Sequence, residues 1–223
     1  MSKYNEPPEG AFTAGPRWTR EQALLAFEFY CETPFGQLHG RNNEIVRLAE
    51  LIGRTPDALA MKCVNFASLD PKIRESGRTG LSNASALDRE VWNEFHANWD
   101  ELVEECDALR SHLLAERGIE GAPQQEEDAS AGEPDFSAET RLALAKQRVK
   151  QAFFRRAVLS SYGGKCCISG VHDSRFLIAS HIVPWKDNPS IRLHPGNGLC
   201  LSAIHDKAFD SHLFSLTDDY RVA

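Results

Sequence analysis

The chain has no long hydrophobic run. None of its apolar stretches approaches the ~20 residues of a membrane-spanning helix, and residues 1–16 have neither the apolar core nor the cleavage pattern of a signal peptide. No membrane partner is expected, and a cytoplasmic location is predicted. A hydrophobic content of 42% and a charged content of 26% exclude fibrous and wholly disordered classes and indicate a globular protein.

Cysteine pairs of the CxxC type are also missing, and a zinc ribbon would need two of them. A structural zinc is therefore not expected. Because no secretion signal is present either, reduced thiols are predicted rather than disulfides. The six cysteines are Cys31, Cys63, Cys106, Cys166, Cys167 and Cys200.

Cations are scarce in the first part of the chain. The net charge of -7 argues against a nucleic-acid partner for the chain as a whole, because phosphate contacts need clustered Lys and Arg. The charge is unevenly distributed, however. Residues 139–223 contain twelve Lys and Arg against seven Asp and Glu, a net of +5, which leaves -12 for residues 1–138. The acidity therefore belongs to the front of the chain.

Residues 17–116 are predicted to form an α-helical domain behind a flexible tail, residues 1–16, which is rich in Pro and Gly. Thr19 and Gln22 form a capping-box pattern at the start of the first helix. Apolar residues at helical spacing predict one long amphipathic helix from about Leu87 to Glu116 at the end of the domain.

Two shorter helices between these match a helix-turn-helix pattern. Gly53 ends the first of them, and Thr55 and Pro56 begin the second as N-cap and first helical residue. In a helix-turn-helix protein the second helix enters the DNA major groove. The alternative is a helical hairpin that only packs its own core. The first hypothesis predicts DNA contacts at the helix entry and on its exposed side, at Arg54, Lys62 and Asn65.

An acidic, disordered linker is predicted over residues 117–138, which are poor in large apolar groups and rich in Gly, Pro, Ser, Ala and acids. The domain that follows, residues 139–223, opens with an amphipathic helix whose polar side is cationic. That side is predicted to face phosphates. The cations of this domain predicted to contact DNA are Arg148, Arg155, Arg156 and Lys186.

From Cys166 the residues predict a strand, a loop, a second strand and a helix. Ser180 and His181 end the first strand, Asn197 precedes the second, and His205 lies on the helix. The segments ASHIVPW, NGLCL and HDKAFD resemble the ββα-metal finger of the HNH endonuclease family. The resemblance covers the chain from about residue 141 to its end. The fold class that it implies is α+β: a mainly α-helical N-terminal domain and a C-terminal ββα-metal nuclease domain.

The resemblance implies a role for each of the three family residues. His181 would be the general base that activates water, and His205 would bind the metal. Asn197 would fix the loop and orient the His181 ring or, as in some relatives, touch the metal. A histidine with an ordinary pKa near ~6.5 can accept a proton at neutral pH. One divalent metal ion, Mg²⁺, Mn²⁺, Ni²⁺ or Zn²⁺, would neutralise the charge that develops on the phosphate.

One position departs from the family pattern. Many relatives have an Asp or His metal ligand directly before the base, and this chain has Ser180, whose neutral hydroxyl is a poor ligand for a hard cation. Asp206, His194 or, less favoured, Asp210 would supply the missing ligand, or the metal would keep more waters. The predicted metal residues are His205, Ser180 and Asp206.

The leading hypothesis is a metal-dependent endonuclease that hydrolyses double-stranded DNA in restriction or phage defence, including the cutting of modified DNA. One active site per chain and two strands to cut favour a homodimer. The alternatives are a DNA-binding regulator that retains an inactive finger and a nuclease that cuts RNA. The last residues, DDYRVA, look like the start of a strand, which predicts a nuclease domain truncated at its C-terminus.

Overall fold

A computed structural model describes residues 16–77, 83–119, 138–217, 219 and 221–223. The predicted tail and acidic linker lie almost wholly outside these ranges. No helix inside them is long and apolar enough to cross a membrane. The α+β class is confirmed, because helices precede a small two-stranded sheet near the C-terminus. The elements are α1 (Arg20–Glu32), α2 (Asn43–Leu51), α3 (Pro56–Ala67), α4 (Pro71–Glu75), α5 (Ala86–Ala97), α6 (Trp99–Glu116), α7 (Ala138–Ser161), β1 (Leu177–His181), β2 (Gly198–Ser202) and α8 (Ala203–Asp210).

The helical part is built around α1, which packs against α3, α5, α6 and α7. The capping box predicted at its start is confirmed: the Thr19 hydroxyl accepts from the Gln22 backbone N–H, and the Gln22 side chain accepts from the Thr19 N–H. Phe27, in the middle of α1, is almost completely buried. Its ring meets those of Phe66 on α3 and Phe95 on α5, at 5.0 and 4.6 Å between centroids. These aromatic contacts join three helices in one core.

The prediction of a single long helix from Leu87 to Glu116 is wrong. The chain leaves helical geometry at Asn98 (φ -153°, ψ 82°), which separates α5 from α6. The Asn98 side chain accepts a hydrogen bond from the Glu101 N–H and thereby caps α6. Asparagine favours such caps because its side chain competes with the backbone for hydrogen bonds. Apolar spacing continues across the break, so periodicity alone could not show it.

The helix-turn-helix pattern corresponds to α2 and α3, which pack together across a turn that contains Gly53 at φ 69°. The guanidinium of Arg54 is engaged within the protein, by the carbonyl groups of Pro16 and Arg17 and by the Gln22 side chain. Asn65 is partly buried on α3. The role of these helices in DNA binding stays a prediction.

The prediction that Lys62 lies on the exposed side of α3 is wrong. Its side chain is buried, and the ammonium group pairs with the fully buried carboxylate of Asp88 at 2.5 Å. The ammonium group also lies 4.7 Å from the centre of the Trp18 ring. Asp88 lies on α5, 26 positions away in the sequence, so no local pattern could indicate this partner. Lys62 therefore holds α3 to α5 and is not presented to DNA.

The basic helix α7 connects the helical part to the sheet, because it packs against α1, α6, β1 and β2. Several of its cations pair with acids of the helical part. Lys150 lies 2.8 Å from Asp100 and 2.7 Å from Glu104 on α6, and Lys146 lies 2.7 Å from Glu104. These pairs occupy part of the surface that was predicted to face phosphates.

The other cations predicted on α7 differ in their surroundings. The Arg156 guanidinium forms an ion pair with Glu32 at 2.7 Å. Arg155 donates to the carbonyl groups of Leu177 and Ser174, and so fastens α7 to the start of β1. Arg148 is exposed. Phosphate contact by Arg155 or Arg156 would have to compete with these bonds.

Substituting Lys62 tests whether its ion pair stabilises the helical part. We expect Lys62→Met to lower the free energy of unfolding by about 3–5 kcal/mol, because it leaves the buried Asp88 carboxylate without its charged partner. Urea denaturation followed by circular dichroism measures this loss. Lys165→Met, at an exposed position, is the control and should change stability by less than about 0.5 kcal/mol. Equal stabilities for the two variants would contradict the pairing.

The ion pairs of Asp100 predict that part of the free energy of unfolding is lost in acid. Burial acts to raise the pKa of this carboxyl, but hydrogen bonds from Arg192 and Lys150 outweigh it and hold the pKa below the ordinary 3.8. A lowered pKa in the folded state gives stability that is present above pH 3.8 and lost as the pH falls through the folded value. We expect Asp100→Asn to lower the unfolding free energy by about 1–3 kcal/mol near neutral pH. The same variant should lose less stability than wild type below pH 3.8.

The measurement is urea denaturation of both proteins at neutral and acidic pH. Asp187→Asn, in an exposed loop, serves as the matched carboxylate control. An acid dependence of Asp100→Asn identical to that of wild type would contradict this account of the ion pairs.

Candidate active site

The predicted order of strand, loop, strand and helix is confirmed between β1 and α8. The two strands are antiparallel, with His181 opposite Gly198. α8 follows β2 directly, because the Ser202 hydroxyl accepts the His205 N–H as a helix cap. A Cβ atom at Gly198 would lie 2.3 Å from a methyl group of Val158, so glycine is needed where β2 crosses α7. The β1–β2 sheet therefore packs directly on α7.

His181, the last residue of β1, is held on two sides. Its ring stacks on Phe154 of α7, with centroids 3.8 Å apart and planes 9° apart. The Trp185 ring meets it edge-on at 5.5 Å. His181 Nε2 lies 2.9 Å from the Arg192 carbonyl oxygen. A carbonyl oxygen can only accept, so Nε2 carries the hydrogen, and in the neutral ring Nδ1 is left with a lone pair.

Burial lowers the pKa of His181, and the Arg192 carbonyl opposes this effect only in part. A lowered pKa keeps more of the ring in the neutral form near neutral pH. The neutral form is the one that can accept a proton. The geometry and the pKa therefore both suit a base that acts through Nδ1.

Arg192 is anchored in turn by the helical part. Its Nε atom donates to both carboxylate oxygens of Asp100, at 3.0 Å each. The guanidinium also lies 5.0 Å from the centre of the Trp185 ring. The backbone carbonyl that bonds His181 therefore belongs to a residue whose side chain is fixed to α6.

Asn197 is buried at the end of the loop between the strands. Its side-chain oxygen accepts from the Val183 N–H at 2.8 Å, and its amide nitrogen donates to the Val183 carbonyl at 3.1 Å. The Ile182 N–H donates to the Asn197 carbonyl at 2.9 Å. These three bonds join the two ends of the loop that leaves His181.

His205 lies on α8 with Nδ1 already engaged. This nitrogen is 2.9 Å from the Ser202 hydroxyl and 3.5 Å from the sulfur of Cys166. Burial acts to raise the pKa of the Cys166 thiol, but hydrogen bonds from Ser169, Ile168 and His205 outweigh it and lower the pKa to about 6. Sequence reasoning did not associate Cys166 with the site, because it lies 39 positions before His205.

Ser180 and Asp206, two of the predicted metal residues, are brought together. Ser180 is buried. Burial raises the pKa of the Asp206 carboxyl, and the nearby Asp210 carboxylate raises it further. The nearby Ser180 hydroxyl and the charge of Lys207 act in the opposite direction. Within the described part of the chain no hydrogen bond joins His205 to Ser180 or to Asp206, and His205 Nδ1 faces Ser202 and Cys166 instead.

The neighbouring carboxylates of Asp206 and Asp210, with a hydroxyl group beside them, are a donor set that fits a hard divalent cation, because a cation would relieve the repulsion that Asp210 exerts on Asp206. Nevertheless, the described residues contain no group of three or more His, Cys, Asp or Glu side chains that could hold a metal ion. Waters or substrate oxygens would have to complete the coordination of a metal bound here. Mg²⁺ commonly binds in this way, with one or two carboxylates.

His194, the other candidate ligand, lies elsewhere. Its Nδ1 accepts the Gly196 N–H at 2.9 Å, and its ring meets that of Trp99 edge-on, 5.3 Å away. Burial and the nearby charges of His96 and Lys72 lower the pKa of His194 to about 4. This histidine belongs to a cavity between the helical part and the loop. Lys186, a predicted DNA contact, is exposed in the same loop.

Comparison with known proteins agrees with the C-terminal geometry. Residues 166–217 match the family model described as HNH endonuclease. The match includes His181, Asn197, His205 and Asp206, and leaves α1–α7 outside. No curated protein and no solved structure matches the chain. The segment that carries β1, β2 and α8 is thus similar to HNH endonuclease domains, which indicates a nuclease.

Proposed function

We propose that this chain is a metal-dependent endonuclease that hydrolyses phosphodiester bonds of double-stranded DNA, with His181 as the general base. The observation that carries the proposal is the state of the His181 ring. Its Nε2 is engaged by the Arg192 carbonyl, Phe154 covers one face, and Nδ1 retains a lone pair. Phosphodiester hydrolysis needs such a base to take a proton from the attacking water.

In the proposed reaction, His181 Nδ1 accepts the proton from a water molecule that attacks the scissile phosphate. The positive charge that forms on the ring is stabilised by the Arg192 carbonyl oxygen, which already accepts from Nε2. Asn197 keeps the loop in place through its bonds to Val183. The bond between the phosphorus and the 3′ oxygen breaks, the 3′ oxygen takes a proton from water to become a hydroxyl, and the phosphate stays on the 5′ end of the other fragment, as the family resemblance implies.

The metal ion would be held by Asp206 with Ser180 beside it, and Asp210 would stand close enough to share the charge. When bound, it would neutralise charge on the phosphate and on the leaving oxygen. His205 would contribute through Nε2, since Nδ1 faces Ser202 and Cys166. The residues favour Mg²⁺ or Mn²⁺ because Asp206 and Asp210 offer hard oxygen ligands.

DNA would approach exposed cations among those predicted, which include Arg148 on α7 and Lys186 in the loop after β1. Cutting both strands would need a second copy of the chain, so the proposed active form on DNA is a homodimer. A role in restriction or phage defence, including the cutting of modified DNA, is proposed from the union of a helical part with an HNH domain.

A non-cleaving DNA-binding regulator is the second candidate. It is favoured by one observation: the described residues do not provide three converging metal ligands. A regulator would bind DNA with affinity that falls as the salt concentration rises, and it would show no metal-dependent cutting.

Substitution of His181 tests the nuclease. We expect wild-type protein to nick and linearise plasmid DNA with Mg²⁺ or Mn²⁺ and not with EDTA. His181→Ala should cut at least about 100-fold more slowly, because general-base catalysis is lost. His172→Ala, an exposed histidine of the same segment, is the matched control and should cut like wild type. Undiminished cutting by folded His181→Ala would contradict the assignment, and DNA binding without any cutting would favour the regulator.

The metal residues are tested by titrating the cutting rate with Mn²⁺. We expect Asp206→Asn to need at least about tenfold more Mn²⁺ for half-maximal rate, because the amide lacks the charge that attracts the cation. Asp187→Asn, exposed in the neighbouring loop, should not shift the titration. If His205→Ala needed more Mn²⁺ and Asp206→Asn did not, the metal would be bound by His205 and not by Asp206.

A further inference from the structure

A cavity of about 810 Å³ lies between α1, α4 and α5 on one side and the loop before β2 on the other. It is separate from the His181 and Asp206 groups. Trp92, His96 and Trp99 line it from the helical part, and His194 and Gly196 line it from the loop. Its volume falls in the range of sites that take small organic ligands.

The walls of the cavity are flat aromatic surfaces. Trp92 and His96 stack on each other, with ring centroids 4.4 Å apart and planes 24° apart. The rings of Trp99 and His194 meet edge-on at 5.3 Å. Trp92 is only partly buried, so its ring remains accessible to a ligand. Such surfaces stack with planar heteroaromatic rings.

The two histidines of the cavity differ in the hydrogen-bonding groups that they offer. His96 Nδ1 is 2.7 Å from the Trp92 carbonyl oxygen, so it carries the hydrogen and leaves Nε2 as an acceptor in the neutral ring. His194 Nδ1 accepts from the Gly196 N–H, so its Nε2 carries the hydrogen and is a donor. The two rings are 5.6 Å apart. A neighbouring donor and acceptor match the alternating groups on the edge of a nucleobase.

A cationic side chain also lines the cavity. Lys72 lines it, and its ammonium group would lie 3.7 Å from a Cβ atom at Gly196, beside the loop. The neighbouring Asp70 carboxylate is engaged, because it accepts from the Tyr30 hydroxyl at 2.7 Å and from the Lys72 N–H at 2.9 Å. The structure shows no ion pair for the Lys72 ammonium group in the described residues. It is therefore suited to a phosphate group.

We infer that this cavity is a nucleotide-binding site, in which Trp92 stacks on the base, His96 and His194 bond its edge, and Lys72 binds the phosphate. The nucleotide is either one extruded from a DNA strand or a free mononucleotide. His194 and Gly196 lead directly into Asn197, so a bound nucleotide contacts the loop that the proposed active site depends on. The binding itself does not depend on the proposed nuclease.

The test uses the full chain in EDTA, so that binding is measured without cutting. The free probes are the four deoxynucleoside monophosphates, titrated by calorimetry. The DNA probes are two duplexes of one sequence, in which a central base faces either its complement or an abasic site. An unpaired base is easier to extrude. Preference for the abasic duplex would identify an extruded nucleotide, and saturable binding of a monophosphate would identify a free one.

We expect Trp92→Leu to weaken binding of the preferred probe at least about tenfold, as loss of base stacking does elsewhere. For a free monophosphate, Lys72→Met should weaken binding while leaving the matching nucleoside unaffected. For the abasic duplex, Lys72→Met should reduce the preference over the paired duplex. Phe176→Leu, an exposed aromatic outside the cavity, is the control. Thermal denaturation shows which variants are folded.

Two results would overturn the inference. One is the absence of saturable binding for every monophosphate together with equal affinity for the two duplexes. The other is unchanged binding in folded Trp92→Leu and Lys72→Met. Failure of the nuclease proposal would instead appear as absence of cutting, with these binding results intact.

Discussion

The hydrogen bond between His181 Nε2 and the Arg192 carbonyl decides which ring nitrogen can accept a proton, and several other features of the structure depend on it. The bond requires the loop between β1 and β2 to keep its path. Asn197 holds the two ends of that loop together, and Asp100 holds Arg192 from outside the finger. Phe154 completes the arrangement from α7. The His181 ring is therefore held in this state by residues from four separate segments of the chain.

The charge distribution has a corresponding structural role. The front of the chain is acidic and the rear is basic, and the structure pairs the two across α6 and α7. Asp100 and Glu104 therefore neutralise cations that a helix isolated from this context would offer to phosphates. The helical part contributes to the geometry of the finger as well as to the surface beside it. DNA that approaches α7 would compete with these carboxylates for Lys146 and Lys150.

Local chemistry made much of this predictable. Caps at Thr19 and Thr55 depend on residues a few positions apart, and the strand order around His181 and Asn197 follows from short motifs. The Lys62–Asp88 pair, the anchoring of Arg192 and the cavity beside His194 join residues distant in the sequence, and no periodic pattern encodes them. The break at Asn98 was missed for a different reason, because a single capping side chain outweighed continuous apolar spacing.

The central claim is that His181 is a neutral base with its hydrogen on Nε2. Nitrogen-15 NMR of the histidine rings in the folded protein, with His181 assigned by comparison with His181→Ala, measures this directly. We expect a protonated Nε2 and an unprotonated Nδ1 near neutral pH. A ring with the hydrogen on Nδ1, or one protonated on both nitrogens at that pH, would contradict the account.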